Sequence, residues 1–300
     1  MTDILERPVT DQTLERPAAG KAPTGRKARP AKEKARPARE KAPAGKESDN
    51  PLASVSKALM LLESLKQASG PVGVSGLARS AGMAKSTAFR LLAHLEESGF
   101  VERAGTSYVL GWRLFELGNN VAPCRPHGLR SIAVPHLTDL QARTGMAVHL
   151  GVLQGAEVVL LEKVHGVRTV TMPSRVGSRV PSSCTALGKA MLAYLPADEL
   201  RQAVTESSDE QGLTGLTRFS LRQPGRLLDQ LREIRAGKIA HEREEALVGL
   251  VAVAAPILVD GRAVASISLS SATGQVTAEA YARLVQQTAA AIAQELAGRH

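Results

Sequence analysis

The chain has 300 residues, 43% of them hydrophobic, and carries a formal net charge of +9. Its length suggests about two domains, each able to bury a core of its own, and no apolar run reaches the ~18 residues that a membrane span needs. Two cysteines, Cys124 and Cys184, make neither a disulfide framework nor a zinc pattern, and the first thirty residues lack the apolar centre of a secretory signal. The expectation is a reduced cytoplasmic protein, off the membrane, with no metal and no cofactor.

Residues 1–50 hold six of the sixteen prolines and no aromatic residue, and from Lys21 to Lys46 ten Lys/Arg stand against two Glu. Such a stretch cannot bury enough apolar surface to offset its ordering entropy, so it reads as a disordered basic tail. It is either a cationic arm adding salt-dependent phosphate affinity or a solubilising linker. Order is expected to begin near Asn50. Ser54 is a candidate helix cap, and Val55, Ala58, Leu59, Leu62 and Leu65 follow at helical spacing. Gly70, Pro71 and Gly73 break that pattern, and Ser75 can cap a short helix that Gly82 ends. A longer helix, AKSTAFRLLAHL, runs from Ala84 to Leu95 and stops at Gly99. The segments FVER and SYVL, joined by AGT, then read as a hairpin. Helix, short helix, tight turn, longer helix and hairpin make a winged helix-turn-helix over 51–111.

The Ala84 helix is the informative one. At ~100° per residue, Ala88, Leu91, Leu92 and Leu95 share one side, while Ser86, Arg90 and Ala93 lie opposite, with Phe89 and Thr87 flanking. That outer side is small, hydroxylated and basic. Small residues allow close approach, an Arg can pair bidentately with guanine, and a methyl or aromatic edge can touch thymine. An ordinary amphipathic helix would show a similar inner stripe, so the segment alone leaves both readings open.

Residues 112–127 are expected to form a linker helix. Its stripe of Leu114, Phe115 and Leu117 must pack on the winged domain or on a partner subunit, and Pro123 and Pro126 end it. From Gly128 to residue 300 the texture becomes α+β. A helix carries Ile132, Val134, Leu137 and Leu140; the strands VHLGVL and VVLLEKV follow; a loop and helix span Pro181 to Leu195. Another helix runs from Leu227 to Ala236. VAVAAPILV and AVASISLS form a hairpin around Asp260–Gly261, a strong two-residue turn signal, and Ala278 to Leu296 is a closing helix. On the last strand, period two places Ser266, Ser268 and Ser270 on one face and Ala265, Ile267 and Leu269 on the other. A row of hydroxyls is either a solvent face or the lining of a polar pocket.

Several segments together resemble one family. SVSKALMLLESL, GLARSAGMAKSTAFRLLAHLEESGFVER and YVLGWRLFELG are similar to the winged-helix half of IclR-type transcriptional regulators. HLGVLQGAEVVLLEKVHG, SRVGSRVPSSCTALGKAMLAYLP, REEALVGLVAVAAPI and SISLSS are similar to that family's ligand-sensing half, in the same order. The resemblance implies a GAF-like sensor fold, a double-stranded DNA operator, a small-molecule effector and a homo-oligomer, dimer or tetramer. It implies DNA contacts at Lys85, Ser86, Thr87 and Arg90, with Arg103 and Ser107 on the wing; Arg103 is equally readable as a solvated charge. For the effector it implies Cys184, Thr185, Ala186 and Leu187 at a helix start, whose backbone N–H groups suit a carboxylate. It adds Glu242, Ser268 and Ser270, with Arg175 and Arg179 as nearby charges. Ser183 stands where many members have His, Glu242 where Asp is frequent, and Ala252 where Cys is frequent. Those departures point to a more apolar pocket floor and to a less polar or aromatic effector rather than a keto acid. An enzyme using Cys184 as nucleophile, with a thiol lowered at a helix start and Lys189 or His165 beside it, is set aside, because no His–Asp pairing has supporting sequence context and there is no phosphate loop; the expectation is that the chain is not an enzyme. A chromatin-like binder dominated by the tail is the other alternative.

Overall fold

In the computed structural model, residues 51–124, 128–166, 174–274 and 278–298 are described. The basic tail and Pro126 lie outside them.

Helix α1 spans Pro51–Gln67. It begins a turn before Ser54, at a proline whose fixed φ suits the first helical position. Its buried side is Leu61 and Leu65, with Ala58 and Leu62 half covered, while Val55 and Leu59 are more than half exposed. Six of the eight residues from Val55 to Leu62 are apolar, so the expected stripe is rotated from the real one. Spacing cannot choose a side when apolar residues surround the helix. Strand β1 (Val72–Gly73) leads into α2 (Val74–Ser80), whose cap is Gly73 rather than Ser75. The turn at Gly82, with φ +62°, closes through the Met83 N–H donating to the Ala78 carbonyl at 2.9 Å. Helix α3 (Lys85–Glu97) follows.

The wing is β2 (Val101–Ala104) and β3 (Ser107–Leu110), with β1 added on the far side of β3. Gly111 holds the wing against the end of α3. A Cβ there would stand 2.2 Å from the Gly99 carbonyl oxygen, and the Gly111 N–H already donates to the Phe100 carbonyl at 2.9 Å. Helix α4 (Trp112–Asn119) is the expected linker helix and has no buried residue. Trp112, Phe115, Leu117 and Val121 are all exposed. Packing on the winged domain is therefore not what its apolar stripe does.

The second domain opens with α5 (Leu129–Thr144), β4 (Ala147–Gln154), β5 (Glu157–Val164) and β6 (Arg179–Pro181). After a single 3-10 turn come α6 (Ala186–Leu192), α7 (Ala197–Glu206), and a two-stranded ribbon of β7 (Ser208–Asp209) and β8 (Gly212–Leu213). Next are α8 (Pro224–Gly237), β9 (Ala240–Arg243), β10 (Leu250–Val259), β11 (Arg262–Ala272) and α9 (Ala282–Ala297). The turn between β10 and β11 has positive φ at both Asp260 (50°) and Gly261 (76°), as a type I′ hairpin requires. Six strands form one antiparallel sheet in the order β6-β5-β4-β11-β10-β9. α5 and α9 cover one face, burying Leu137, Leu150, Ile257, Ile267 and Ile292. α6 and α8 cover the other, burying Leu160, Met191, Leu227 and Leu231. Burying each such side chain stabilises by ~1.5–3 kcal/mol. Helix α7 and the short β9 had no clear sequence signal. β9 is four residues long and exists through its pairing with β10.

Candidate functional site

Two places concentrate polar side chains. The first is the outer side of α3. Ala88, Leu91 and Leu92 are buried against α1 and α2, and Leu95 is half buried. Lys85, Ser86, Phe89, Arg90 and Ala93 are exposed, while Thr87 is half buried at the edge. Side-chain burial thus divides the helix where the spacing does. On the wing, Ser107 is half buried and pairs with Gly73 and Ala104. Arg103 is exposed but committed: its Nε donates to both Glu96 carboxylate oxygens at 3.0 and 3.1 Å, and its guanidinium stacks 5.2 Å from the Tyr108 ring centre.

The second place is a cavity between the sheet and α6, enclosing about 60 Å³ of free space. Strand register builds its floor. Glu242 on β9 faces Ala252 on β10, which faces Ser270 on β11; one step along, Ala254 faces Ser268, which faces His149 on β4. Polar side chains flank a central pair of alanines. Thr185, Ala186 and Leu187 at the start of α6 close one side, with Leu160, Ser174, Val180, Ala246 and Leu250 completing the wall. The 3-10 turn at Ser182 folds tightly onto the start of α6 because the third residue of the helix is Gly188, where a Cβ would lie 2.1 Å from the Ser182 carbonyl oxygen.

The serine row of β11 is buried, not solvent-facing: Ser266, Ser268 and Ser270 are at most 3% exposed. The Ser266 hydroxyl donates to the Leu187 carbonyl at 2.9 Å and ties the strand to α6. Ser268 and Ser270 instead line the cavity. Among the described residues, no side-chain hydrogen bond claims either hydroxyl.

Glu242 is 3% exposed. Burial is the main reason its carboxyl is pushed up to about 7, against the opposing pull of the Ala246 N–H, 3.0 Å from its Oε1, and of Lys189. His149 is pushed down to about 4, first by burial and then by Lys163 and His165, and its Nε2 lies 3.5 Å from the Ser174 hydroxyl. Burial also lowers Lys163, whose ammonium donates to the Ser174 carbonyl at 2.9 Å. At neutral pH the cavity therefore holds an uncharged imidazole and a carboxyl near its midpoint.

Some expectations need correction. The helix start offers fewer free N–H groups than expected: α6 has seven residues, and the Thr185 hydroxyl already accepts from the Gly188 N–H at 3.0 Å. Cys184 is fully buried but does not line the cavity; its thiol donates to the Thr214 carbonyl at 3.3 Å. Burial pushes that thiol up, not down. Lys189, its supposed partner, is spent on Glu245 at 2.6 Å and Gln230 at 3.2 Å. Arg179 pairs with Glu157 at 3.2 Å, and neither it nor Arg175 lines the cavity. Most of the exposed lining of the cavity is apolar, with its few polar side chains at the flanks. His149 and Ser174 escaped the sequence reading. A histidine in the run VHLGVL hinted at a special face, but its neighbour Ser268 is more than a hundred residues away.

A winged helix-turn-helix with a polar, partly basic outer face, followed by an antiparallel-sheet domain with a cavity lined by apolar residues and a few buried polar ones, defines a ligand-sensing regulator class by its architecture. Residues 54–105 match the IclR helix-turn-helix domain, and residues 123–296 match the C-terminal domain of bacterial IclR transcriptional regulators. The chain belongs to the IclR family of transcriptional regulators. It is 32% identical over 228 residues to the HTH-type transcriptional regulator XynR of Escherichia coli, covering 75% of this chain and 88% of that protein. It is 30% identical over 229 residues to the transcriptional repressor IclR of the same organism, covering 75% and 81%. The IclR structure from Thermotoga maritima superposes with a TM-score of 0.68 at 33% identity, over 82% of this chain and 99% of that one. An IclR homologue of Microbacterium hydrocarbonoxydans, solved with 4-hydroxybenzoate, shares the fold at 22% identity, with a TM-score of 0.71 over 82% and 99%. No helix among the described residues is long and apolar enough to cross a membrane.

Proposed function

We propose that the chain is a repressor that reads a defined operator through α3 and the wing, and that a small metabolite in the cavity decides its occupancy. The observation that carries this reading is the pair of hydroxyls of Ser268 and Ser270, which line the cavity and have no side-chain hydrogen bond among the described residues. A ligand that hydrogen-bonds to them would take the place of cavity water. Lys85, Ser86, Thr87 and Arg90 would face the major groove, with Ser107 and Arg103 on the wing, where a phosphate would compete with Glu96 for Arg103. Glu242, Thr185, Ala186 and Leu187 would surround the ligand together with His149. Cys184 stays outside the cavity, its thiol bonded to the Thr214 carbonyl.

The effector is a carboxylate or an aromatic acid, and the cavity weighs these differently. A free volume of about 60 Å³ holds roughly four waters, enough for a compact two- to four-carbon acid. An aromatic ring would have to spread α6 from the sheet. The carboxyl of Glu242, half protonated near neutrality, can donate a hydrogen bond to a carboxylate. Ligand and operator then couple reciprocally, by ~1–3 kcal/mol.

A homo-oligomer supplies the missing cover for two helices. Val55, Leu59 and Met60 on α1 and Trp112, Phe115 and Leu117 on α4 are exposed, and a second copy burying them would set two recognition helices on a pseudo-palindrome. The basic tail would add salt-dependent affinity without sequence preference; deleting residues 1–48 should then flatten the salt dependence and leave operator preference intact.

Selection from random duplexes, followed by footprinting, tests the whole reading. The expected result is one enriched motif with a footprint of fixed length that shifts when pyruvate-sized or benzoate-sized acids are added. Uniform coating of every duplex would make the chain an architectural binder, and turnover lost in Cys184→Ser would make it an enzyme.

A further inference from the structure

Phe89 is one of four phenylalanines in the chain, and it is left uncovered. It sits in the second turn of α3 with a relative exposure of 52%, although the same helix buries Ala88, Leu91 and Leu92 one residue before and two or three after. Its neighbours on the outer side, one turn away in each direction, are Ser86 and Ala93, both exposed and both too short to shield a ring. Lys85 stands on its N-terminal flank. On its C-terminal flank Glu96 is neutralised by Arg103, whose Nε lies 3.0 Å away. An apolar ring is thus flanked by the exposed cations Lys85 and Arg90, while Glu96 is held by Arg103 and Glu97 lies beside His94. That surface complements a polyanion that also offers apolar spots.

DNA offers one such spot in the major groove, the 5-methyl group of thymine. We infer that Phe89 is a base-reading residue that contacts a thymine 5-methyl in each half-site, beside the polar contacts of Ser86 and Arg90. The inference rests on α3 being the groove-entering helix. It adds a named side chain and a named base atom to that reading. The contact needs no charge and no hydrogen bond, so it contributes discrimination between thymine and the other bases while leaving phosphate affinity unchanged.

The test uses the full chain and the operator it selects from random duplexes. In each half-site every thymine is replaced in turn by deoxyuridine, which keeps pairing and loses only the methyl. One position per half-site should weaken binding about fourfold, the partition value of one buried methyl-sized group, and about fifteenfold when both are changed. Phe89→Ala should lose a similar factor on the thymine operator and be indifferent to deoxyuridine at that position, with Phe89→Leu in between. Because the ring is exposed, thermal stability of Phe89→Ala should match wild type.

Equal binding of thymine and deoxyuridine duplexes, or a deoxyuridine effect that persists in Phe89→Ala, overturns the assignment while leaving operator recognition standing. A selected motif without thymine does the same. A change in sedimentation of Phe89→Ala would make the ring a contact between copies and also overturn it. Failure to enrich any motif removes the underlying reading as well, so the two failures are distinguishable.

Discussion

The outer side of α3 and the inner side of β11 look alike in sequence and end up in opposite places. Each is a periodic row of short polar residues set against a periodic apolar row. On α3 the polar row, Ser86 and Arg90, faces out because α1 and α2 take the other side. On β11 the polar row is at most 3% exposed because the sheet is covered on both faces, by α5 and α9 on one and α6 and α8 on the other. Polarity of a face therefore says that the face is not core; it does not say what lies in front of it. A solvated polar row suits a partner that arrives from outside, and a buried one suits a ligand small enough to be enclosed.

The contrast can be broken most severely at the cover of the buried row. Lys189 in α6 is 1% exposed and its ammonium is bonded to Glu245 and Gln230. Lys189→Ala would strand Glu245, one of whose oxygens already lacks a partner. Breaking such a pair costs about 3–5 kcal/mol. Chemical denaturation should show that loss in the transition of the second domain, while replacing both partners by apolar residues should restore much of it.

Next in size is the pH dependence, which belongs to the buried row alone. Glu242, raised to about 7, binds its proton more tightly folded than unfolded. Its contribution is present in full below its ordinary value near 4.5 and is lost as pH rises towards 7. His149, lowered to about 4, works in the other direction: stability falls as pH drops from about 6.5 to 4. Each limb is worth roughly 3 kcal/mol at most. The two slopes oppose each other and overlap between about pH 4.5 and 6.5, so denaturation midpoints of the wild type should stay nearly level across that range. Glu242→Gln should unmask the rise of stability with pH that His149 gives, and His149→Asn the fall with pH that Glu242 gives. An unaltered profile in both variants would mean that neither group is as enclosed as the structure places it.

On the exposed row the expected effect is smaller and purely on binding. Arg90→Ala should weaken operator binding by ~1–3 kcal/mol if the guanidinium reads a base, with no change in melting temperature. Equal loss on random duplex would assign it to phosphate. Smallest of all is Ser268→Ala. It removes a hydroxyl without a protein partner, so stability should move by less than about 1 kcal/mol and operator affinity should not move, while the response to effector is blunted. A loss of DNA binding in that variant would mean that the serine row is structural after all.

How much of this was legible beforehand depends on the range of the interaction. The turn at Asp260–Gly261, the breaks at Gly82 and Gly99 and the inner stripe of α3 are local, so spacing and residue chemistry place them without help. Ser54 and Ser75 misled as caps because a cap is fixed by where the helix axis begins, and tertiary contacts set that. Val55 and Leu59 misled because α1 is apolar around most of its circumference.

The sequence by itself determined the winged helix-turn-helix and the α+β texture that follows it, the position of α3 and which of its sides is polar. These follow from periodicities of 3.6 and 2 and from the conformational demands of glycine and proline, all felt within a dozen residues. Only the tertiary structure decided that the serines of β11 face a cavity, that His149 and Glu242 share it with them, and that Cys184 does not. Those outcomes depend on strand register and on which helix lies over which face, between segments up to about 120 residues apart. Burial, which depends on everything packed around a group, then moved their proton affinities in opposite directions.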